Sequence, residues 1–285
     1  MPELPDLVHI EAKLREGLVG HRIVGARTGD PLTLRIMVRD SFPALLVGRT
    51  VGEVVRRGHF ICFGLDGDLL IAVNLMLAGR FQLLPKVEPK LPSALSLALE
   101  MDDGRELRIV DDKRMAKVYV AARADEKQIP VLGKLGVEIF SRQFTQAKFR
   151  ALIAKRRDQV RQFLMDKETI ASVGNAYADE ILFAARLHPK TFCSKLTPEE
   201  IDRLHEATGQ VMRDAAAEIT RRDPSIDTKL RDFLAVRGRD GKPCKVCGTT
   251  IRAVRVGDGD ACFCPTCQPT GRKLFVDFSK LPTKG

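Results

Sequence analysis

Three features are missing from this sequence, and each absence narrows the range of functions. No run of apolar residues is long enough to cross a bilayer, so a membrane protein is not expected. The N-terminus lacks the basic and then apolar pattern of a secretion signal, which predicts a cytoplasmic, nucleoid-associated protein. Residues 1–243 hold only two cysteines, Cys62 and Cys193. Their scarcity here, and the crowding of the other five cysteines near the C-terminus, favour a metal site over a disulfide framework.

A surplus of positive charge stands out against these absences. The 285 residues include 47 Lys and Arg against 37 Asp and Glu, which gives a net charge of +10. Such a balance suggests a polyanionic partner, most simply nucleic acid. The length allows two or three domains, and the 44% of apolar residues is normal for a globular protein.

The other five cysteines crowd into the C-terminal segment. Two C-x₂-C pairs, separated by 16 residues, are formed by Cys244 with Cys247 and by Cys264 with Cys267. Four thiolates at this spacing predict one tetrahedral Zn²⁺, which is structural because no coordination position stays open for a substrate. Cys262 could compete as a ligand, but only Cys264 has the x₂ spacing to Cys267.

The segment between the two cysteine pairs is predicted to form a β-hairpin. Residues 249–256 are expected as one strand, 258–260 as the turn and 261–263 as the returning strand. Arg255 would lie on this hairpin, as part of a basic surface that is a candidate for phosphate contacts.

The first six residues, Met1-Pro2-Glu3-Leu4-Pro5-Asp6, hold a candidate nucleophile. Because Pro2 is small, removal of Met1 is expected and would leave a free secondary amine. An α-amino group has a pKa near ~7.7–8.0, so a useful fraction is an unprotonated nucleophile at neutral pH. It could attack an aldehyde-like carbon to form an iminium, with Glu3 as a proton donor or acceptor. A proline placed at the start site by chance is the alternative.

The remaining pattern predicts a multi-domain α+β protein. An N-terminal helix is expected from Leu7 until about Gly20, followed by a β-sandwich or β-barrel of about eight strands. The predicted domains are a catalytic β-domain over 1–122, a linker over 123–142, a helical DNA-binding domain over 143–222 and a zinc-finger region over 223–285. The predicted helices of the third segment are 144–155, 159–165, 176–187 and 198–219.

The run from Ser172 to Glu180 is the most informative part of the helical segment. Gly174 is expected to allow an unusual backbone angle, and Asn175 to cap the helix that follows. Helices that meet at such a turn present free N–H groups to phosphate. An ordinary capped helix is the alternative.

Taken in order, these motifs resemble the bacterial formamidopyrimidine-DNA glycosylase and endonuclease VIII family. The resemblance covers nearly the whole chain, and it is carried by Pro2–Pro5, by Arg56-Arg57-Gly58, by Leu164–Pro189 and by Gly238–Gln268. It implies an N-terminal β-domain, a helix-two-turn-helix domain and a four-cysteine zinc finger.

The resemblance also implies a mechanism. The Pro2 amine would attack C1′ of a damaged nucleotide flipped out of double-stranded DNA, and Glu3 would protonate the ring oxygen. The iminium would then allow β- and δ-elimination of the flanking phosphates. Arg57, Arg161 and Asn175 match positions that contact DNA in the family.

Several positions depart from the family pattern. His59 is a candidate catalytic residue in place of a lysine that contacts the lesion phosphate and supports elimination in the family. Gly259 replaces the arginine of the zinc-finger hairpin, for which Arg255 is a candidate substitute. The intercalating positions match Leu77, Lys113 and Met115, without the usual aromatic wedge. The stretch 219–233 is short where the 8-oxoguanine enzymes carry a lesion-capping loop. An atypical lesion specificity is therefore expected.

The sequence supports three competing hypotheses about function. The leading hypothesis is a monomeric DNA glycosylase with abasic-site lyase activity. The second is a catalytically weak or inactive binder of damaged or abasic DNA, because His59 and Gly259 replace charged groups. The third is a zinc-ribbon protein that binds RNA or a protein partner.

Overall fold

The computed structural model describes residues 1–29, 31–39, 41–257 and 259–270. Asp258 of the predicted hairpin turn and residues 271–285 of the predicted zinc-finger region lie outside the described residues. The chain divides into two compact units. The first unit comprises Met1–Glu138, Lys167–Ser172 and Met212–Leu230, and the second comprises Ile139–Asp166, Val173–Val211 and the residues from Arg231 onward.

The helices and strands follow one another along the chain with clear bounds. The helices are α1 (Leu4–Leu18), α2 (Gln146–Ile153), α3 (Val160–Met165), α4 (Asn175–Ala184) and α5 (Pro198–Arg222). The strands are β1 (Ile23–Arg27), β2 (Leu34–Ile36), β3 (Val51–Arg57), β4 (Phe60–Leu65), β5 (Leu69–Asn74), β6 (Arg80–Leu84), β7 (Leu95–Met101), β8 (Glu106–Val110), β9 (Lys117–Ala122), β10 (Val137–Glu138), β11 (Ile170–Ala171), β12 (Arg252–Val256) and β13 (Gly259–Phe263).

Two sheets form the body of the first unit, so the predicted β-sandwich is confirmed. One sheet has the order β1-β7-β8-β6, and the other has the order β2-β9-β5-β4-β3. Inward side chains of both sheets share one apolar core with α1, and Phe63 meets Phe81 edge to face at 6.0 Å between ring centroids. The expected hairpins at Asp66–Asp68 and Asp102–Gly104 join β4 to β5 and β7 to β8.

The outer face of the larger sheet is also covered. Phe60, Tyr119 and other outward residues of β4, β5 and β9 pack with Ile129 and Leu132. These two residues belong to the stretch 123–142, expected as a linker, which contains two short 3₁₀ helices. Strands β4 and β5 are consequently buried along their whole length. This burial explains why they read as continuous apolar runs without alternation.

The second unit contains the helical motif and the cysteine-bearing hairpin. Phe149 of α2 stacks edge to face on Phe163 of α3, with 5.4 Å between ring centroids. Helix α5 begins at a capping box, in which Thr197 Oγ1 accepts from the Glu200 N–H at 3.2 Å, and Glu200 accepts from the Thr197 N–H at 2.9 Å. This confirms the predicted start of the helix.

Element ends differ from the predictions by a few residues. Helix α2 spans 146–153 rather than 144–155, because Thr145 caps its N-terminus by accepting from the Lys148 N–H. Helix α5 continues to Arg222, and the first strand of the C-terminal hairpin starts at Arg252 rather than 249. Among the described residues, no helix is both long and apolar enough to cross a membrane.

Candidate active site and nucleic-acid interface

The N-terminal segment is held in place by backbone contacts within the first unit. Pro2 and Glu3 are buried, and α1 begins directly after them. The Asp6 carboxylate accepts from the Glu3 N–H at 2.8 Å, and the Leu4 N–H donates to the Ser172 carbonyl at 3.1 Å. Ser172 itself has a left-handed φ of +73°. The start of the helix therefore fixes where an imino terminus at Pro2 would lie.

A tight hairpin turn carries the run Arg56-Arg57-Gly58-His59. Gly58 and His59 join β3 to β4, and Gly58 has a φ of +55°, as a two-residue hairpin requires. The Glu138 carboxylate accepts from the Gly58 N–H at 2.6 Å and pairs with Arg56 at 2.8 Å. Arg57 is exposed and pairs with Glu126. The turn is thus braced by two acidic side chains.

His59 lies inside this turn and is only 2% exposed. Burial lowers the pKa of His59 to about 3, and the charges of Lys167 and Arg56 act in the same direction. Neither ring nitrogen makes a hydrogen bond of good geometry with a described residue. The resemblance made His59 a catalytic candidate in place of a lysine that contacts the lesion phosphate. In this conformation the neutral ring offers almost no surface to one.

The end of the larger sheet gathers the candidate intercalating residues. Phe60, Asn74 and Lys117 are register partners, so the start of β4, the end of β5 and the start of β9 lie side by side. Just beyond them, Leu77 is 53% exposed and Met115 is 37% exposed. The Met1 ammonium group donates to the Leu77 carbonyl at 3.1 Å. Two apolar side chains therefore project from the sheet end that holds the N-terminus.

Asp111 shapes the turn that carries Lys113 and Met115. Its carboxylate accepts from the Lys113 N–H at 3.0 Å and from the N–H groups of Met115 and Ala116 at 2.5 Å each. Lys113 and Met115 remain exposed. A buried carboxylate that satisfies several backbone donors is a rigid support for a loop.

A buried polar network surrounds Asn175 in the second unit. Arg161 is only 2% exposed, and its Nε donates to Asp179 Oδ1 at 2.9 Å. Its Nη2 donates to Asn175 Oδ1 at 2.7 Å and to the Asp260 carbonyl at 3.3 Å. Gly174, not Asn175, occupies the N-cap position of α4, and its φ of −122° is ordinary. The predicted cap at Asn175 was wrong, because its amide oxygen accepts from Arg161 instead. The predicted unusual backbone angle at Gly174 was also wrong.

Asp179 and Glu180 tie α4 to the C-terminal segment of the same unit. Asp179 Oδ2 accepts from Arg237 Nη1 at 2.9 Å and from the Cys262 N–H at 3.0 Å. Glu180 accepts from the N–H groups of Ala235, Val236 and Arg237 at 2.7 to 2.9 Å. Burial raises the pKa of Glu180. Sequence reasoning assigned these carboxylates no role, although Asp179 follows Asn175 by one helical turn and so shares its face.

The hairpin β12–β13 lies beside Asn175. A side chain at Gly259 would place its Cβ 3.4 Å from Asn175 Oδ1 and 3.9 Å from Arg161 Nη1. Arg255 pairs in register with Asp260, is 66% exposed and has its Nη1 3.9 Å from Asp260 Oδ1. Arg255 is therefore a long, exposed cation within the same hairpin as Gly259. Its contact with phosphate remains a prediction.

Four thiols form a cluster with the dimensions of a zinc site. The sulfurs of Cys244 and Cys267 are 3.9 Å apart, those of Cys247 and Cys264 are 3.4 Å apart, and those of Cys247 and Cys267 are 3.5 Å apart. With Zn–S bonds of about 2.3 Å, a tetrahedron has sulfur–sulfur edges of about 3.8 Å. The four thiols therefore fit one structural Zn²⁺. Cys262 is not among the four clustered residues.

Comparisons with known proteins agree with this arrangement. Three sequence families match in order: the Formamidopyrimidine-DNA glycosylase N-terminal domain over residues 1–118, the Formamidopyrimidine-DNA glycosylase H2TH domain over 135–224, and the zinc finger found in FPG and IleRS over 241–270. A β-sandwich, a helix-two-turn-helix domain and a four-cysteine finger define a class of DNA-repair glycosylases.

Individual relatives give the same result. The formamidopyrimidine-DNA glycosylase of Geobacter sulfurreducens is 34% identical, and that of Listeria innocua is 32% identical, each over 94% of this chain and 100% of the relative. The crystal structure of the MutM (Fpg) protein from Thermus thermophilus is 32% identical, with a TM-score of 0.79 over 95% of this chain and 100% of that one. The chain belongs to the formamidopyrimidine-DNA glycosylase family, whose members are DNA glycosylases with abasic-site lyase activity.

The fold likeness extends to a more distant member. A complex of the Lactococcus lactis Fpg with DNA containing an abasic site has a TM-score of 0.83 over 94% of this chain and 100% of that chain, at 22% identity. At this identity the likeness concerns the fold alone.

Proposed function

We propose that this protein excises damaged bases from double-stranded DNA and then cleaves the abasic site, with the Pro2 amine as nucleophile. The observation that carries the proposal is the position of Pro2 and Glu3, at the start of α1 and at the end of the sheet that exposes Leu77 and Met115. Membership of the formamidopyrimidine-DNA glycosylase family supports the same reaction and damaged DNA as the partner.

The proposed chemistry begins after removal of Met1. The secondary amine of Pro2 forms a bond to C1′, and the damaged base departs with its bonding electrons and a proton. Glu3 protonates the ring oxygen as the C1′–O4′ bond breaks, which leaves an iminium between Pro2 and C1′. The iminium accepts the electron pair released when the C2′ proton is lost. The 3′ phosphate then leaves by β-elimination, and the 5′ phosphate by δ-elimination.

The helical motif and the zinc finger have a separate role in this proposal. Asn175 is exposed above a buried Arg161 and Asp179, so its amide N–H₂ is oriented for a phosphate oxygen. Arg161 then acts through Asn175 rather than by direct contact with DNA. Arg255, Arg57 and Lys113 are exposed cations suited to further backbone contacts.

Borohydride trapping on a duplex with an abasic site tests the nucleophile. The mature protein should form a covalent adduct, and Pro2→Gly should form much less. A chain that keeps an extra residue before Pro2 is the matched control, because it has the same fold and no imino terminus. No adduct with the mature protein, or an undiminished adduct with Pro2→Gly, would overturn the proposal.

A catalytically weak binder of damaged DNA is the second candidate. Two observations favour this candidate. His59 is buried, and position 259 is a glycine, so neither supplies the phosphate contact that the family lysine and arginine make. This candidate requires tight binding of abasic-site DNA without strand cleavage. Nicking that disappears in Pro2 and Glu3 variants eliminates it.

We further propose an atypical lesion range and a monomeric, nucleoid-associated protein. Helix α5 ends at Arg222, and residues 223–233 contain no helix or strand. This stretch is too short for a long cap over the lesion. Sedimentation of the protein with a duplex should give one chain per duplex.

A further inference from the structure

Lys167 is fixed next to the turn that carries His59. The Gly136 N–H donates to the Lys167 carbonyl at 2.8 Å, and the Val137 N–H donates to the Thr169 carbonyl at 3.0 Å. Strands β11 and β10 continue this contact in parallel. Strand β10 ends at Glu138, whose carboxylate binds the Gly58 N–H. Backbone pairing with β10 and the Glu138 carboxylate therefore place Lys167 near the β3–β4 turn.

Lys117 reaches the same place from the sheet. It is the register partner of Asn74, which in turn pairs with Phe60, the residue after His59. Since Tyr119 belongs to the outer face of β9, Lys117 lies on that face too. Burial lowers the pKa of Lys167, and the charge of Lys117 acts in the same direction. Burial also lowers the pKa of His59, and the charge of Lys167 adds to that effect. These influences agree with the strand register, which brings the three residues to one end of the sheet.

Within the part of the chain that the structure describes, neither lysine has a counter-charge. No hydrogen bond or ion pair of the described residues involves either ammonium group. In contrast, Arg56 pairs with Glu138 and Arg57 pairs with Glu126. Both lysines are partly buried, so two like charges lie at one sheet end with reduced access to water. Such a pair is unfavourable alone and is stabilised by an anion.

We propose that Lys117 and Lys167 form a phosphate-binding pair that holds one phosphodiester of the DNA strand at the Pro2 site. The identity of the anion rests on the proposed function; the site itself rests on the contacts above. The pair supplies the positive charge that a buried neutral His59 cannot supply. It lies at the sheet end that exposes Leu77 and Met115, where a DNA strand would run.

The test measures binding to a duplex with a tetrahydrofuran abasic analogue, which cannot react. Lys167→Gln and Lys117→Gln should each lower the slope of log K against log salt by about 0.9. Raising the salt from about 50 to about 200 mM should therefore cost the wild type about 3.5-fold more affinity than either variant. Lys167→Arg should retain the wild-type slope. Lys90→Gln removes an exposed charge from the loop before β7 of the same unit, and it should change nothing.

A second experiment identifies which phosphate of the DNA the two lysines bind. Replacing single phosphates beside the analogue by neutral methylphosphonates should, at one position, abolish the effect of Lys167→Gln, because both changes remove the same contact. Wild-type slopes in both glutamine variants, or additive losses at every position, would overturn the site. Borohydride trapping of the wild type decides the proposed function in a separate assay. Failure of one proposal is thus distinguishable from failure of the other.

Discussion

His59 shows that the surroundings of a residue in the folded protein can decide its protonation state. The ordinary pKa of histidine is 6.5, and burial beside Arg56 and Lys167 lowers the pKa of His59 to about 3. The folded state thus binds this proton only in strong acid, whereas the unfolded chain binds it below about pH 6.5. The contribution of His59 to stability is therefore complete at neutral pH and is lost as pH falls below about 6.5.

We expect His59→Gln to make the first unit less sensitive to acid. Between pH 7 and pH 5 the wild type should lose about 2 kcal/mol of unfolding free energy through this group, and the variant should not. The chain has two tyrosines and no tryptophan. In a Tyr177→Phe background, Tyr119 fluorescence therefore reports the first unit. Equal losses in wild type and variant would show that His59 is protonated in the folded state.

At the scale of the element, the start of helix α4 depends on one buried side chain, Arg161. Arg161, which is itself only 2% exposed, donates to Asn175, to the buried Asp179 and to the Asp260 carbonyl. Removing one partner of a buried ion pair is costly, because the other charge keeps its desolvation penalty. Asp179 would retain Arg237 and the Cys262 N–H, which limits the loss.

Arg161→Met should lower the unfolding free energy of the second unit by about 3 kcal/mol. It should also weaken binding to the abasic analogue, because the Asn175 amide loses its orienting donor. Tyr177 fluorescence in a Tyr119→Phe background measures the stability. Arg150→Gln, which breaks an exposed pair with Asp202, is the control and should have little effect. An Arg161→Met protein as stable as the control would contradict the supporting role of Arg161.

The four-cysteine zinc site is a second element whose ligands can be tested one by one. Cys264→Ser should abolish stoichiometric zinc and the DNA affinity that depends on the hairpin, because three thiolates no longer close the tetrahedron. Cys262→Ser should keep one zinc per chain, since Cys262 is outside the cluster. Metal analysis of both purified proteins decides between them. Zinc loss in Cys262→Ser alone would reverse the ligand assignment.

At the scale of the whole molecule, the net charge bears on the expected partner, and the length of one loop bears on the expected lesion range. The net charge of +10 favours association with duplex DNA of any sequence. The division into segments 1–122, 123–142, 143–222 and 223–285 stays a prediction.

We expect base release to extend beyond oxidised purines, because residues 223–233 are too short to close a long cap over the lesion. A panel of oligonucleotides with oxidised purines or oxidised pyrimidines, scored for base release and for β- and δ-products, measures the range. Glu3→Gln is the control for contaminating glycosylases. Release confined to oxidised purines would show that a long cap is not needed for that specificity.

Short-range patterns made much of this protein predictable. The C-x₂-C pairs, the Thr197 capping box and the Asp-Gly hairpins depend on neighbours in the chain, so spacing alone specifies them. The outline of the β-sandwich followed from apolar runs between turns. Helix ends were less accurate, because single hydrogen bonds such as that of Thr145 decide them.

By itself, the sequence specified the four thiols of the zinc site. It also predicted Pro2 and Glu3 as catalytic residues and the run that contains Asn175 as a DNA contact, and these two assignments stay predictions. Only the tertiary structure decided the burial and the protonation of the side chains whose partners are distant in sequence. Arg161 became a buried support because Asp179 and the Asp260 carbonyl enclose it. His59 became neutral, and Lys117 came to lie near Lys167, because strands far apart in sequence meet at one sheet end. The physical reason is that desolvation and charge proximity act through space, whereas spacing along a chain records only what is covalently near.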